Sequence, residues 1–536
     1  MLFKNKIKFL SLGLGLALTF TSCEKALDIN DNPNQATNST PELVLPQALV
    51  QTARNVVPFN TAGMRMMYIA NGGGVSGWGG GFLDYNWASG HEAARWSDAY
   101  NNLTDYQYVV TNSEGVEGNE IFVHAAEIMK AYTYMGLVDT YNDIPYSEAL
   151  LGNGNIHPKY DKGQDIYADL AKKLDAAIAF LKPLTTADVP TSFKNGDVLF
   201  AGNSLNWAKL ANTLKLKLVV KGKGKVTFAN ETIDGIGILT TDAIVNPKFA
   251  KIDGKQNPMW QLWAYSASGS GPGGWGTQFL PTPFIMAFYD GSKIVDEGRA
   301  DLIYADGIGS PKNQLGDLSV TAIGIAPSTW VLHPENGDIS ASNYVGYGVI
   351  KGPAAGQPIL LAAEANFLAS EAVVRGIMTG NAKTYFEDGI SAAYLYLNKG
   401  ETDAVANGAD AAAYLASYKE ENASSPLVNF DLNTTNEKKV EAIITQKYIA
   451  FNLLFSHESW NEYRRTNYPS IINPATNAPY TNSRANAKNT FVSTESSAPA
   501  VDKLPTRFPY PNTEVAYNGA NVPSVDKFTS KIFWAK

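Results

Sequence analysis

The chain has 536 residues, of which 45% are hydrophobic, 11% aromatic and 18% charged, against roughly 25% charged in an ordinary globular domain. So much apolar material builds a large core and excludes a disordered or fibrous chain. A net charge of −8 with no basic block argues against a nucleic-acid partner, and a single cysteine excludes both a disulfide framework and a thiolate zinc cluster.

Residues 1–22 read as a signal peptide. Lys4, Lys6 and Lys8 form a positive start, and 9–20 is a mostly apolar run of 12 residues, too short for a bilayer that needs about 20 in a helix. The run ends in Thr21-Ser22-Cys23, a lipobox-like sequence in which Cys23 becomes the acylated N-terminus, with palmitate among its chains; Phe20 stands where the pattern usually has Leu. Acyl chains anchor by about 0.8 kcal/mol per buried CH₂. Cleavage removes three lysines and no acid, so the mature chain is more acidic still. Asp28 to Asn34 reads as a turn-rich tether. Its D-x-N-x-N start is not a calcium loop, because Pro33 occupies the glycine position.

Helical periodicity dominates the chain beyond the tether. Over 120–137, Ala125, Ile128, Met129, Tyr132 and Met135 keep an i, i+3, i+4 rhythm. A turn at 142–145 precedes a second helix from about Asp165, striped by Tyr167, Leu170, Leu174, Ala177, Ile178 and Leu181 and closed by Pro183. Further helices are predicted over 207–220, 359–374 and 385–397, and over 440–455, where Val440, Ile443, Ile444, Tyr448, Phe451, Leu454 and Phe455 share a face. The predicted fold is mainly α: tetratricopeptide-like hairpins carrying a loop-rich insertion with a few short strands, though no clean 34-residue consensus is present. Residues 23–536 form one domain in this reading, with scaffold segments at about 42–220, 357–400 and 436–465. Its loop-rich part spans about 71–95 and 222–356.

The search for catalytic chemistry finds little. His91, His124, His157, His333 and His457 form no metal-spaced pair, and there is no G-x-S-x-G elbow. The Gly-rich run at 72–81 lacks G-K-[ST], so it is no phosphate cradle. Glu364 and Glu371 would be the carboxylate pair of a glycosidase, but seven helical residues separate their backbones by about 10.5 Å. They read instead as buried scaffold carboxylates held by Arg464, Arg465 and Arg507, with Glu458 and Glu462 nearby. The expectation is a non-enzyme without a cofactor or metal.

The loops read differently. Residues 71–90 and 264–283 are rich in Gly, Ser and Pro yet carry isolated large aromatics. Sugar rings present C–H faces that lie against indole or phenol rings, while their hydroxyls bond to Asn and Asp. Trp78 and Trp275 are the leading candidates for such contacts, flanked by Tyr85, Trp87 and Tyr265, with Asp84 and Asn86 as polar partners. For each ring the competing role is anchoring its loop to the core. Trp96, Trp207 and Trp460 fall within helical patterns and are predicted core.

Several segments together resemble the SusD/RagB family, in its SusD-like branch. They are LDINDNPNQAT after the cysteine, LVLPQAL at 43–49, IMKAYTYMGLVDTYNDIPYSEAL at 128–150 and NWAKLANTLKLKLVV at 206–220. Asn257-Pro258-Met259-Trp260 comes next, then ILLAAEANFLASEAVVRG at 359–376, ITQKYIAFNLLFSHESWNEYRRTNYP at 444–469 and LPTRFPYPNTE at 504–514. The resemblance implies a non-catalytic lipoprotein on the outer-membrane surface that forms a lid on a SusC-like TonB-dependent transporter and passes it an oligosaccharide or, as on the RagB side, an oligopeptide. It supplies no ligand motif, so the loop residues rest on their chemistry alone. A surface glycosidase is the remote alternative.

Overall fold

The computed structural model describes residues 39–72, 81–268, 279–304, 306–320, 346–405 and 408–536, the side chains of 59–62 apart. Cys23 and the signal segment lie outside these residues.

Five long helices succeed one another in sequence: α1 Pro41–Met67, α2 Ala93–Ser113, α3 Glu120–Tyr141, α4 Gly163–Leu181 and α5 Ser204–Gly222. Each packs on its predecessor, as short connections between amphipathic helices require. α3 has neighbours on both sides and buries nearly its whole second half, whereas α4 keeps the predicted apolar stripe with an exposed opposite face. Asn203 starts α5 by accepting the amide of Asn206 through its side chain.

A second group continues the stack. α6 is Glu297–Ile303, α7 Ala362–Val374, α8 Ala382–Asn398, α9 Ala411–Glu421, α10 Asn436–Ala450 and α11 Ser456–Thr466. α5 packs on α7, α7 on α8 and α10, and α8 on α9, while α11 returns to α1. That return needs Gly63, because a Cβ there would stand 2.3 Å from the backbone of Ser456 and His457. The helix predicted over 440–455 is shorter than expected. It stops at Ala450, Leu453 takes a left-handed φ of 63°, and α11 starts afresh at Ser456. The sequence reading gave no helix bounds for α1, α2, α6 or α9, although it set Trp96 in a helical pattern and Trp96, Ala99, Leu103, Tyr106 and Val110 form a buried stripe along α2.

Strands are few and short. β1 (Ile69–Asn71) pairs antiparallel with β5 (Phe279–Pro281), β2 (Ile144–Pro145) with β3 (Tyr160–Asp161), and β4 (Ala243–Val245) with β6 (Gln357–Leu360). The mainly helical architecture is thus as predicted. Trp96, Trp207 and Trp460 are buried, as expected.

Where α3, α5, α7, α10 and α11 meet, the interior is charged. Glu364 and Glu371 are 2% and 1% exposed. Arg465 grips Glu371 with two bonds of 2.7 Å and also reaches Glu462. The prediction fails for the other two arginines. Arg464 donates to the carbonyls of Asp139 and Thr506, and Arg507 to those of Tyr141 and Phe508. Lysines take the remaining carboxylates: Lys217 meets Glu364 at 2.8 Å, Lys221 meets Glu458 and Asp139 at 2.7 Å, and Lys447 meets Glu462 at 2.8 Å. Buried ions of this kind persist only when paired. The two carboxylates of the glycosidase alternative are both part of this buried network.

Candidate functional site

The two aromatic loops of the sequence reading leave the scaffold at the ends of β1 and β5. The ladder places Ile69 opposite Pro281, Ala70 opposite Leu280 and Asn71 opposite Phe279. Because the strands are antiparallel, the chain enters one loop just after Asn71 and returns from the other just before Phe279. The two stems stand side by side at one end of one ladder.

A third stem joins them. Asn71, 1% exposed, donates from Nδ2 to the carbonyl of Asp317 at 2.9 Å and accepts the amide of Gly316 at Oδ1 at 3.1 Å. Asn313 donates to the Asn71 carbonyl at 2.7 Å, and its own amide reaches the Pro281 carbonyl at 3.1 Å. Gly316 adopts a φ of +87°, and a Cβ there would meet Ser493 Oγ at 2.5 Å, so this crossing depends on glycine. Asp317 then accepts Ser319 and Arg484. Burial pushes the Asp317 carboxyl up, but these donors outweigh it and hold the group below its ordinary value. The stems of 73–80, 269–278 and 321–345 therefore share one framework, centred on Asn71.

The sequence-predicted site residues divide into three groups. Trp78 and Trp275 lie outside the described residues. Tyr85 and Trp87 are corrected: they are 1% and 2% exposed and serve as anchors. The Tyr85 hydroxyl accepts the amide of Ser493 at 3.0 Å, and burial pushes the phenol up. Trp87 stacks on Phe508 with centroids 4.3 Å apart and meets Trp460 edge-on at 5.8 Å. Rings held on those surfaces have no free face for a ligand. Their alternation with exposed residues reflects an irregular segment with Tyr85 at a φ of 59°, which a periodicity argument cannot resolve.

The remaining three are at or near the surface. Asp84 is half-buried and accepts the amide of Asn86 at 2.9 Å, closing the turn. Asn86 is exposed, and its Oδ1 accepts Lys527 Nζ at 2.8 Å; the same ammonium donates to the Trp87 carbonyl at 2.9 Å. Tyr265 is half-buried beside the second stem, its ring tilted against Trp260 at 6.3 Å.

Sequence reasoning missed the residues that organise the site. Phe82, half-buried, covers Arg65, whose guanidinium carbon is 3.7 Å from the ring centre and 5.9 Å from that of Phe279. Burial pulls Arg65 down to about 10, with Glu92 opposing. Asn71 had a signal in its place before a glycine run, but Asn313, Asp317 and Lys527 had none, because their partners lie hundreds of residues away. Among the described residues, no group of three or more His, Cys, Asp or Glu could hold a metal, and no helix is long and apolar enough to cross a membrane.

Two family models match the chain in order. Residues 33–262 match one described as starch-binding associating with outer membrane, and residues 351–532 match one described as Susd and RagB outer membrane lipoprotein. The chain belongs to the SusD/RagB family. The SusD-like fold is shared with a SusD homolog from Bacteroides fragilis, at 23% identity over 93% of this chain and 99% of that one, with a TM-score of 0.60. A SusD-like protein from Bacteroides thetaiotaomicron is similar at 19% identity over 91% and 98%, with a TM-score of 0.64. A chitin-binding SusD homolog from Flavobacterium johnsoniae gives 19% over 91% and 98%, with a TM-score of 0.63. No curated protein matches the chain at a significant level.

Proposed function

We propose that this SusD/RagB protein captures oligosaccharides at the outer-membrane surface, without cleaving them, and delivers them to a SusC-like TonB-dependent transporter. The observation that supports the reading is the convergence of the loop stems on Asn71: the described residues from which 73–80 departs and to which 269–278 returns stand at one end of one ladder. In this reading Trp78 and Trp275, in the segments that these stems carry, supply the apolar faces that sugar rings require, with Tyr265, Asp84 and Asn86 as the further contacts. The chitin-binding relative gives the saccharide class independent support. Cys23 is the lipid anchor in this reading.

The test is to incubate the purified protein with pools of glycans and of peptides and to recover what is retained. Intact bound glycan is expected. Retention of peptides alone would transfer the same lid role to an oligopeptide cargo, and shortened products would replace the binder with a glycosidase. A large β-barrel protein is expected to co-purify from outer membranes; its absence would remove the transporter partner.

A further inference from the structure

Away from the loop stems, a cavity of about 350 Å³ opens between the start of α6 and the outer face of α9. Its walls are Glu297 and Gly298 on one side and Tyr414, Ser417 and Glu421 on the other, with Tyr418 behind. The size is at the lower end of small-molecule sites.

The aromatic wall is rigid. Tyr394 and Tyr414 stack with centroids 3.9 Å apart and planes 3° from parallel, and Tyr418 continues the series at 5.7 Å and 10°. The Tyr414 hydroxyl donates to Asp296 Oδ1 at 2.8 Å, while Arg299 holds the other oxygen at 2.6 Å. The Asn422 side chain ties down the facing segment by accepting the amide of Val295 at 2.9 Å and donating to its carbonyl at 2.8 Å. Gly298 keeps the space open: it is exposed, and a Cβ there would stand 3.4 Å from the Tyr414 ring.

The polar rim selects the ligand class. Glu297, Ser417 and Glu421 are exposed, and Ser417 donates to Glu421 at 3.1 Å. No lysine or arginine is among the lining residues, so a phosphate, sulfate or uronate would meet carboxylates without a counter-charge. Carboxylates and a hydroxyl beside the half-buried Tyr414, which is stacked on Tyr394 and backed by the buried Tyr418, instead suit an uncharged polyol, whose hydroxyls donate to the acids while its C–H groups meet the open edge of Tyr414.

We infer that the α6–α9 cavity is a second saccharide site, taking one neutral sugar unit of a longer glycan. The inference rests on the proposed glycan cargo but not on the loops that carry the first site. Two sites on one chain raise the avidity for glycans long enough to span both.

The test is hydrogen exchange of the full chain with maltohexaose, cellohexaose and chitohexaose at millimolar concentration, for wild type and Gly298→Leu, a variant that fills the cavity from an exposed position. With one of the sugars, exchange across 294–300 and 411–421 should slow by about threefold at twice the dissociation constant. Gly298→Leu should abolish that slowing while melting at the wild-type temperature. Protection at 81–90 and 261–268 alone, or protection at 294–300 and 411–421 that survives in Gly298→Leu, would overturn the inference and leave the first site intact. Protection only at 294–300 and 411–421 would support it and count against the loop site, and protection at neither place would reject both.

Discussion

Asn71 stands opposite Phe279 at the last register position of a three-residue ladder, and through its side chain it also fixes the backbone at Gly316 and Asp317. One buried amide thus sets the relative placement of segments more than 200 residues apart in sequence.

Replacing Asn71 by Ala removes two side-chain bonds and leaves the Gly316 amide without its acceptor, while the Asp317 carbonyl keeps the Asn313 side-chain amide at 3.0 Å. At about 1 kcal/mol per bond plus the cost of one buried unpaired group, the loss should be about 2–4 kcal/mol by denaturant unfolding. Glycan affinity should fall at the same time, because the stems no longer hold their spacing. Unchanged affinity in a folded Asn71→Ala protein would show that the stems do not position the ligand.

The tryptophans should behave in opposite ways. Trp78→Ala and Trp275→Ala are expected to weaken glycan binding about tenfold or more with a melting temperature near wild type. Trp87→Ala, which empties a site packed against Phe508 and Trp460, should cost about 3–5 kcal/mol of stability. A large fall in melting temperature for Trp78→Ala or Trp275→Ala would make those rings core as well.

Arg465→Met leaves Glu371 to Arg375 alone and Glu462 to Lys447 alone, each at 2.6–2.8 Å, and should destabilise the protein by about 2–4 kcal/mol, below the cost of a fully uncompensated buried charge. Glu364→Gln, Glu371→Gln and Glu462→Gln should likewise register in thermal melts. A melt unchanged by Arg465→Met would refute the structural role given to this network.

Acid should unfold the protein through the same groups. Burial pushes the Glu462 carboxyl up, but Arg465 and Lys447 outweigh it and hold it at about 2; Glu371 and Glu458 are also held below their ordinary range by neighbouring cations. Between about pH 4.5 and 2 the unfolded chain binds protons that the folded chain refuses. The stabilisation is therefore complete above pH 4.5 and is lost as pH falls through 2. Melting temperature measured from pH 6 to 2 should drop across that window, and Glu462→Gln should flatten the drop.

Cys23→Ala should release the protein from membranes into the soluble fraction. Retention of Cys23→Ala after a high-salt wash would contradict lipid anchoring.

The helical scaffold was legible in the sequence because it depends on local periodicity: the stripe from Tyr167 to Leu181 and the apolar set from Ala125 to Met135 mark α4 and α3 without knowledge of any partner. Trp96, Trp207 and Trp460 were readable as core for the same reason. Ion-pair partners were not, because charge alone does not say whether Arg464 meets a carboxylate or the carbonyl of Asp139. That depends on where α3 and α11 end in space. The loops divide along the same line. Composition singled out 71–90 as an unusual segment, but only tertiary structure decided that Tyr85 and Trp87 turn inward to Ser493 and Phe508, and that the stems of separate loops meet at Asn71. A hydrogen bond between residues 246 positions apart, such as that from Asn71 to Asp317, leaves no periodic trace in the chain; it exists only once the stack of helices has brought its two ends together.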